Sequence, residues 1–154
     1  MNRTELSLSD EWETPKELYD HLCGKYGIKP KLDVCATQEN RKCYSAIFSN
    51  SLEYDWTLPK VGNIKHLLVD VWCNPPHSDI GRFVVKAFGE WRRHNITIMM
   101  IIPANSMCTN YAEECIEGKA EYHPINRKWC KFLYKGEEKD HARNGYFVVI
   151  WRKK

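Results

Sequence analysis

The sequence predicts an α/β fold with a mostly parallel sheet and an antiparallel strand at its C-terminal end. Residues 67–73 (LLVDVWC) and 96–102 (ITIMMII) are nearly all apolar, which predicts two buried strands, and apolar residues recur at helical spacing between them. A strand, a helix and a strand in this order form a parallel crossover unit. Residues 145–151 (GYFVVIW) predict a final strand that pairs antiparallel at or near an edge. In such a sheet, ligand sites belong at the carboxyl ends of the strands.

An N-terminal helix is predicted by its start and stop residues. Thr14 suits the N-cap, Pro15 the first helical position, and Glu17 follows the cap by three residues. Gly24 or Gly27 can end the helix. The side predicted to be buried carries Leu18, Tyr19, Leu22, Cys23 and Tyr26.

The middle and late elements are predicted by shorter patterns. Residues 31–36 (KLDVCA) indicate a short strand, a helical stretch is expected from near Thr37, and residues 112–116 indicate a short helix. The helix after residue 76 is predicted to bury Ile80, Phe83, Val84, Ala87, Phe88 and Trp91. Its solvent face is predicted to carry Arg82, Lys86, Glu90 and Arg92.

Length and composition bound the class of protein. With 154 residues and 43% hydrophobic content, we expect a single domain, preceded by a loose polar leader at residues 1–11. The net charge of +3 permits an anionic partner without requiring one. No signal peptide or membrane-length apolar run is present, so we expect a cytoplasmic protein. Seven cysteines without a CxxC pair predict reduced, mostly buried thiols and no metal site.

The turn after the strand at 67–73 is the segment that most strongly indicates a binding or catalytic site. Asn74, Pro75 and Pro76 offer fixed oxygen acceptors and almost no backbone donors at the carboxyl end of a strand. Two acceptors side by side suit an exocyclic amine, and the flat side chain of His77 can stack on a base. An Asn-Pro-Pro sequence is also a common rigid turn, and for an isolated motif that interpretation is the more frequent one.

Several segments together resemble one family. The segments are "WETP" from Trp12, "LDVCA" from Leu32, "DW" at Asp55, "CNPPH" from Cys73 and the terminal "ARNGYFVVIWR". They resemble the small phage-type DNA N6-adenine methyltransferases, over about residues 10 to 152. The resemblance implies a Rossmann-like, S-adenosylmethionine-dependent methyltransferase fold. It also implies methyl transfer to the exocyclic amine of an adenine flipped out of DNA.

The resemblance assigns roles to individual positions. Asn74, Pro75 and Pro76 correspond to the clamp on the target amine, and His77 stands where the family has Tyr, Phe or Trp. The residues predicted at the cofactor are Trp12, Thr14, Pro15, Asp33, Cys35, Ala36, Asn40, Asp55 and Trp56.

Within that cofactor set, different parts of the ligand are implied for different residues. Thr14 and Pro15 correspond to the element at the methionine end, and Asp33 lies near the amino-acid portion. The small Cys35 and Ala36 take the place of a Gly-rich turn. The Asp55-Trp56 pair is implied at the adenine. Asn40 is our own hypothesis for the ribose hydroxyls.

A late basic group is interleaved with aromatic residues and predicts contact with DNA phosphates and bases. Its cations are Arg127, Lys128, Lys131 and Lys135, and its aromatic residues are Trp129, Phe132 and Tyr134. A solvated basic face is the alternative interpretation of the same group.

Other functions remain open at this point. Imidazole stacks less well than a phenol ring, so His77 favours one alternative, a decayed methyltransferase that only binds DNA or cofactor. The same clamp can hold the N4 amine of cytosine. A metal nuclease would use Asp70, Glu113, Glu114 or residues 139–145, whose spacing is poor for that chemistry. The sequence decides neither the DNA sequence recognised nor whether the protein is a monomer or a homodimer.

Overall fold

The computed structural model describes residues 13–58, 62, 67–130 and 145–154, together with the backbone of two short strands at 133–134 and 137–138. The helices are α1 (Lys16–Tyr26), α2 (Ile80–His94) and α3 (Asn110–Cys115). The strands are β1 (Leu32–Asp33), β2 (Ser45–Ala46), β3 (Val71–Cys73), β4 (Ile98–Pro103), β5 (Glu121–Ile125), β6 (Leu133–Tyr134), β7 (Glu137–Glu138) and β8 (Tyr146–Trp151).

The main sheet has six strands in the order β2-β1-β3-β4-β8-β5. The first four are parallel, whereas β8 pairs antiparallel with both β4 and β5. Strands β6 and β7 form a separate antiparallel pair. This architecture confirms the predicted Rossmann-like α/β fold, and it places the C-terminal strand next to an edge.

Strand β4 is buried on both faces and divides the core into two layers. Ile98, Met100 and Ile102 pack in the cluster that includes α2 and α3. Met99 and Ile101 face the opposite way, into the cluster that includes α1. Because successive side chains of a strand alternate between faces, a continuous apolar run is what a strand covered on both sides requires.

Helix α1 confirms the predicted N-terminal helix and shifts its start. It begins at Lys16, with Pro15 in the capping position and no side-chain cap. Thr14 therefore does not act as the predicted N-cap. Gly27 ends the helix at φ 66°, and its N–H donates to the carbonyl of Cys23. This left-handed conformation suits glycine, which lacks the Cβ that would strain it.

Helix α2 follows a short 3-10 helix at His77–Asp79 and buries most of the predicted apolar face. Glu90 was predicted on the solvent face, and that prediction is wrong, because this residue is only 1% exposed. One carboxylate oxygen accepts from the backbone N–H of Trp56 at 2.9 Å. The other accepts from Lys86 Nζ at 2.7 Å. The carboxylate thus joins α2 to the segment before Trp56.

Two predictions between β1 and β3 need correction, and one strand there was not predicted. The helical stretch expected from Thr37 is a turn, closed by reciprocal hydrogen bonds between Thr37 and Asn40. It leads into β2, which was not predicted. The buried strand predicted at 67–73 covers only Val71–Cys73, as β3. Leu67 and Leu68 precede it and are 43% and 48% exposed.

The later elements largely follow prediction. The short helix expected at 112–116 is α3, which begins earlier because Thr109 caps it by accepting from the N–H of Ala112. The final strand is confirmed as antiparallel. Strand β5 was not predicted, since its sequence is largely polar and contains Pro124, which argues against a strand inside a sheet.

All seven cysteines are free thiols, as predicted, and four of them are buried. In the part of the chain that the structure describes, no helix has the length and apolarity to cross a lipid bilayer. Residues 1–12 lie outside the described residues, so a leader at 1–11 and a single domain over 1–154 stay predictions.

We predict that Glu90→Ala lowers the free energy of unfolding by about 3 kcal/mol, because it leaves a buried N–H donor and a half-buried ammonium group without their acceptor. Urea denaturation of the purified variant measures the change. Glu114→Ala, at an exposed position of α3, is the control and should shift the value by less than about 0.5 kcal/mol. Equal effects of the two variants would contradict a structural role for Glu90.

Candidate active site

The parallel strands end together at one edge of the sheet, which we call the carboxyl edge. It is formed by the residues that follow Asp33, Cys73 and Pro103. Because β8 is antiparallel to β4, it begins at this edge, where Tyr146 lies opposite Pro103. Strand β5 ends there too, since Ile125 lies opposite Tyr146. Side chains from both halves of the chain therefore meet at the carboxyl edge.

The Asn-Pro-Pro turn leaves β3 at the carboxyl edge. Pro75 is buried, and the carbonyl of Pro76 accepts from the N–H of Asp79 at 3.0 Å, which closes the 3-10 turn. The amide nitrogen of Asn74 donates to Thr14 Oγ1 at 3.0 Å. The amide oxygen of Asn74 therefore points away from Thr14. The structure thus brings together two of the residues predicted at the site, from positions 60 residues apart.

Thr14 is 3% exposed and stands immediately before Pro15 and α1. Its hydroxyl accepts a hydrogen bond from Asn74 at the carboxyl edge and does not cap the first turn of its own helix. This contact explains why the predicted capping bond does not form. It also fixes the start of α1 against the turn after β3.

His77 is held by a residue that the sequence did not single out. Its Nε2 lies 3.1 Å from the hydroxyl of Tyr146, and the two ring centroids are 5.9 Å apart. Tyr146 is 2% exposed, and burial raises the pKa of its phenol, so the hydroxyl keeps its proton. An aromatic residue at the start of the last strand was visible in the sequence. Its partner was not, because the pairing depends on the register between β8 and β4.

The segment after β1 is organised by a buried carboxylate. Asp33 is 2% exposed, and its two oxygens accept from the backbone N–H groups of Cys35 at 3.1 Å and Lys42 at 2.9 Å. Ala36 is also buried, and its N–H donates to the carbonyl of Ile47. Burial raises the pKa of Asp33, whereas these two hydrogen bonds and the charge of Lys42 lower it by less. The carboxylate fixes a loop of small residues beside the Asn-Pro-Pro turn.

Asn40 belongs to the same loop but its side chain is engaged locally. Its Oδ1 accepts from the N–H of Thr37 at 2.7 Å. A role on ribose hydroxyls stays a prediction, and the side-chain amide would have to act through its nitrogen or leave this turn.

The structure does not bring Asp55 and Trp56 to the carboxyl edge. Asp55 Oδ1 accepts from Arg93 at 2.8 Å, near the C-terminal end of α2. That end lies about 20 Å along the helix from the start of α2, which follows the Asn-Pro-Pro turn. Trp56 is fully buried, and its indole N–H donates to the carbonyl of Ser51. A cofactor contact by this pair stays a prediction, without support from its position.

Asp55, Glu90 and His94 also place possible metal-ligating atoms within 4.8 Å of one another. The carboxylates already bind cations of the protein, Asp55 through Arg93 and Glu90 through Lys86. Because these ion pairs neutralise the cluster, we interpret it as the junction between α2 and the 51–56 segment.

The described part of the predicted basic group lies at the carboxyl edge. Arg127 and Lys128 are exposed in a short 3-10 helix directly after β5. Trp129 stacks on His21 of α1, with ring centroids 4.2 Å apart and planes 10° from parallel. The stack anchors this basic turn to the helix that starts beside Asn74. Lys131 and Lys135 lie outside the described residues, as do the side chains of Phe132 and Tyr134 and all of Trp12.

A surface cleft of about 490 Å³ lies at the end of the sheet opposite the carboxyl edge, where the parallel strands begin. Trp91, Arg92, Lys119 and Arg152 are among its lining residues, and none of the residues predicted at the site belongs to it. Its size alone does not make it the functional site, because the predicted chemistry is concentrated at the carboxyl edge.

Comparison with known proteins adds a family. Residues 2–154 match the family model described as DNA N-6-adenine-methyltransferase (Dam). The chain is 37% identical over 146 residues to the DNA N-6-adenine-methyltransferase of Escherichia phage T1, covering 94% of this chain and 55% of that protein. It is 27% identical over 157 residues to the enzyme of the same description from Haemophilus phage HP1 (strain HP1c1), covering 99% and 84%. The chain thus spans about half the length of the phage T1 relative. No solved structure matches it.

We predict that Asp33→Asn lowers the free energy of unfolding at pH 7 by about 1–3 kcal/mol, because the amide NH2 then faces a backbone N–H donor. Since the pKa of Asp33 is raised above its usual 3.8 in the folded protein, the ionised carboxylate costs stability as the pH rises through the folded-state pKa. The stability advantage of the wild type over this variant should therefore shrink between pH 3 and pH 7. Urea denaturation of both proteins across this range measures the difference. An advantage that grows with pH would contradict the raised pKa.

Proposed function

Because this chain belongs to the DNA N-6-adenine-methyltransferase (Dam) family, we propose that it transfers a methyl group from S-adenosylmethionine to the N6 amine of an adenine in DNA. The observation that carries the proposal is the Asn-Pro-Pro turn at the carboxyl edge, with the amide of Asn74 held against Thr14. A turn of this composition offers oxygen acceptors and few donors, which suits an exocyclic amine with two hydrogens.

In the proposed mechanism, the side-chain oxygen of Asn74 and the carbonyl of Pro75 accept the two N6 hydrogens. Both acceptors are fixed, the first through the bond to Thr14 and the second by the proline rings and burial. Accepting both hydrogens directs the nitrogen lone pair away from the clamp. Most of the rate enhancement then comes from alignment, since fixed geometry replaces the random encounter of two reactants.

His77 is proposed to stack on the target base. Extruding a base from a duplex costs a few kcal/mol. Stacking of a base on an aromatic side chain returns about 1–3 kcal/mol, and the smaller imidazole returns part of this, so some of that cost can be recovered at this one position. The ring lies directly after the clamp, where it can contact a base whose amine is bound by Asn74.

S-adenosylmethionine, when bound, supplies a methyl group on a cationic sulfur. We assign its binding to Thr14, Pro15, Asp33, Cys35 and Ala36. The fit rests on the loop after β1, where small side chains let a ligand approach the backbone and the carboxylate of Asp33 fixes the loop shape. This loop and the start of α1 flank the turn after β3 at the same edge.

The proposal is tested by transfer of a labelled methyl group from S-adenosylmethionine to DNA. Unmethylated DNA is compared with DNA premethylated on adenine, and the labelled base is then identified by chromatography of the nucleosides. We expect labelled N6-methyladenine from unmethylated DNA and little label in the premethylated DNA. Label on cytosine N4 would overturn the base assignment. Cofactor or DNA binding without transfer would instead support a module that has lost catalysis.

We predict that Asn74→Ala reduces methyl transfer by on the order of 100-fold or more, because the preorganised acceptor that orients the amine is lost. Single-turnover rates with labelled cofactor measure the effect, and urea denaturation checks that the fold is retained. Asn110→Ala, at an exposed position of α3, is the control and should keep the wild-type rate. A wild-type rate for Asn74→Ala would refute the assignment of the clamp.

DNA binding is proposed at the basic turn after β5. Arg127 and Lys128 lie at the same edge as His77, because Ile125 and Tyr146 are paired across β5 and β8. Phosphates of a DNA bound at the clamp are proposed to contact these cations. Lys131 and Lys135 are proposed to extend the same surface.

We predict that Arg127→Ala and Lys128→Ala each reduce the slope of log affinity against log salt concentration by about 1, because each variant removes one phosphate contact. Fluorescence anisotropy with a labelled duplex at several salt concentrations measures the slope. Lys29→Ala is the control, since this exposed lysine follows the end of α1 at the opposite edge, where Arg152 donates to the carbonyl of Tyr26. An unchanged slope in both test variants would place the phosphates elsewhere.

A further inference from the structure

The imidazole of His77 has a fixed partner at its far end. Nε2 lies 3.1 Å from the hydroxyl of Tyr146, and the two rings are tilted by 38°. A hydrogen bond to a ring nitrogen lies in the plane of the ring, along the lone pair or the N–H bond. It therefore restrains rotation of the ring while leaving both of its faces unobstructed by the bond itself.

Tyr146 is suited to act as an anchor because it cannot move easily. It begins β8, it is paired with Pro103 on one side and Ile125 on the other, and it is 2% exposed. Its ring belongs to the apolar cluster that also holds Leu18 and Leu22 of α1. The hydroxyl is thus presented to the turn after β3 from a rigid strand.

Restraint matters more for a histidine at position 77 than for a larger aromatic residue. An imidazole ring offers less area for stacking, so it gains less contact energy to offset the entropy lost when it is ordered on a base. A ring that is already ordered in the unbound protein does not lose that entropy on binding. A hydrogen bond from the rigid strand supplies that order.

We propose that Tyr146 is a positioning residue that holds the His77 ring as a preorganised platform for the extruded base. The inference rests on the proposed function and deepens it by adding a residue to the same site. It also accounts for a histidine at a position where the resemblance implies Tyr, Phe or Trp. Tyr146 acts through His77 and does not itself contact the reacting atoms.

The test is a double-mutant cycle with Tyr146→Phe and His77→Phe in the methyl-transfer assay. Tyr146→Phe removes only a hydroxyl and is expected to lower kcat/KM for DNA by about two- to tenfold, the range for one hydrogen bond. The affinity for S-adenosylmethionine should stay unchanged. In the His77→Phe background the same substitution should have no further effect, because phenylalanine has no ring nitrogen to bond. An equal loss in both backgrounds would overturn the proposal.

Tyr122→Phe is the matched control, because it removes a hydroxyl from an exposed tyrosine on the neighbouring strand β5. It should leave kcat/KM unchanged in both backgrounds. A loss as large as that of Tyr146→Phe would show that the effect is not specific to the His77 contact and would count against the proposal.

A second readout does not depend on activity, so it separates a failure of this inference from a failure of the proposed function. In protein labelled with ¹⁵N-histidine, Tyr146→Phe should shift the ring nitrogen resonances of His77, assigned through His77→Phe, and leave those of His94 in place. Unchanged His77 resonances would overturn the inference even in an inactive protein. If the Tyr146→Phe protein does not fold, nuclear Overhauser effects between the two rings in the wild type provide the test, and their absence would overturn it.

Discussion

The turn after β3 is held by side chains from the two ends of the chain, and the candidate site depends on this constraint. Two consecutive prolines provide no N–H donors, so the turn has few backbone hydrogen bonds of its own. Thr14 binds Asn74 from the start of α1, and Tyr146 binds His77 from the start of β8. Thr14 precedes α1, and the ring of Tyr146 packs in the cluster that holds Leu18 and Leu22 of α1, so both contacts also help to fix the layer that contains α1. The geometry of the site and the packing of the two chain ends therefore depend on the same two contacts.

The antiparallel insertion of β8 makes this arrangement possible. A parallel strand beside β4 would begin at the far edge of the sheet and would place its first residue away from the site. Because β8 runs the other way, Tyr146 lies opposite Pro103, where β4 ends. Strand β5 is antiparallel to β8 and therefore runs in the same direction as β4, so its end, and with it Arg127, also lies at the carboxyl edge. The start of β8 thus supplies an anchor for His77, and the end of β5 supplies a basic turn.

Local sequence patterns predicted most of the fold, whereas they could not predict contacts between residues that are distant in the sequence. The helix at 80–94 and the strand at 98–103 follow directly from apolar spacing. Glu90 was misplaced because its burial depends on the N–H of Trp56, 34 residues away. The Asn-Pro-Pro turn was predicted at a strand end from its own residues. Tyr146 was missed because its contact with His77 depends on strand register, and the location of Asp55 beside the C-terminal end of α2 depends on the length of that helix.

The loop after β1 and the turn after β3, which together form the candidate site, are stabilised by different kinds of interaction. The loop after β1 is shaped by a buried carboxylate that accepts two backbone N–H bonds, and its charge is costly to bury. The turn after β3 is shaped by proline geometry and by two side-chain hydrogen bonds, between Asn74 and Thr14 and between His77 and Tyr146. Acidification therefore acts on the loop through the protonation of Asp33, whereas Asn74 and Thr14 have no side-chain proton to gain in that range. Substitutions in the loop should therefore change the free energy of unfolding. Substitutions in the turn should change the rate of methyl transfer to the base that the turn is proposed to hold.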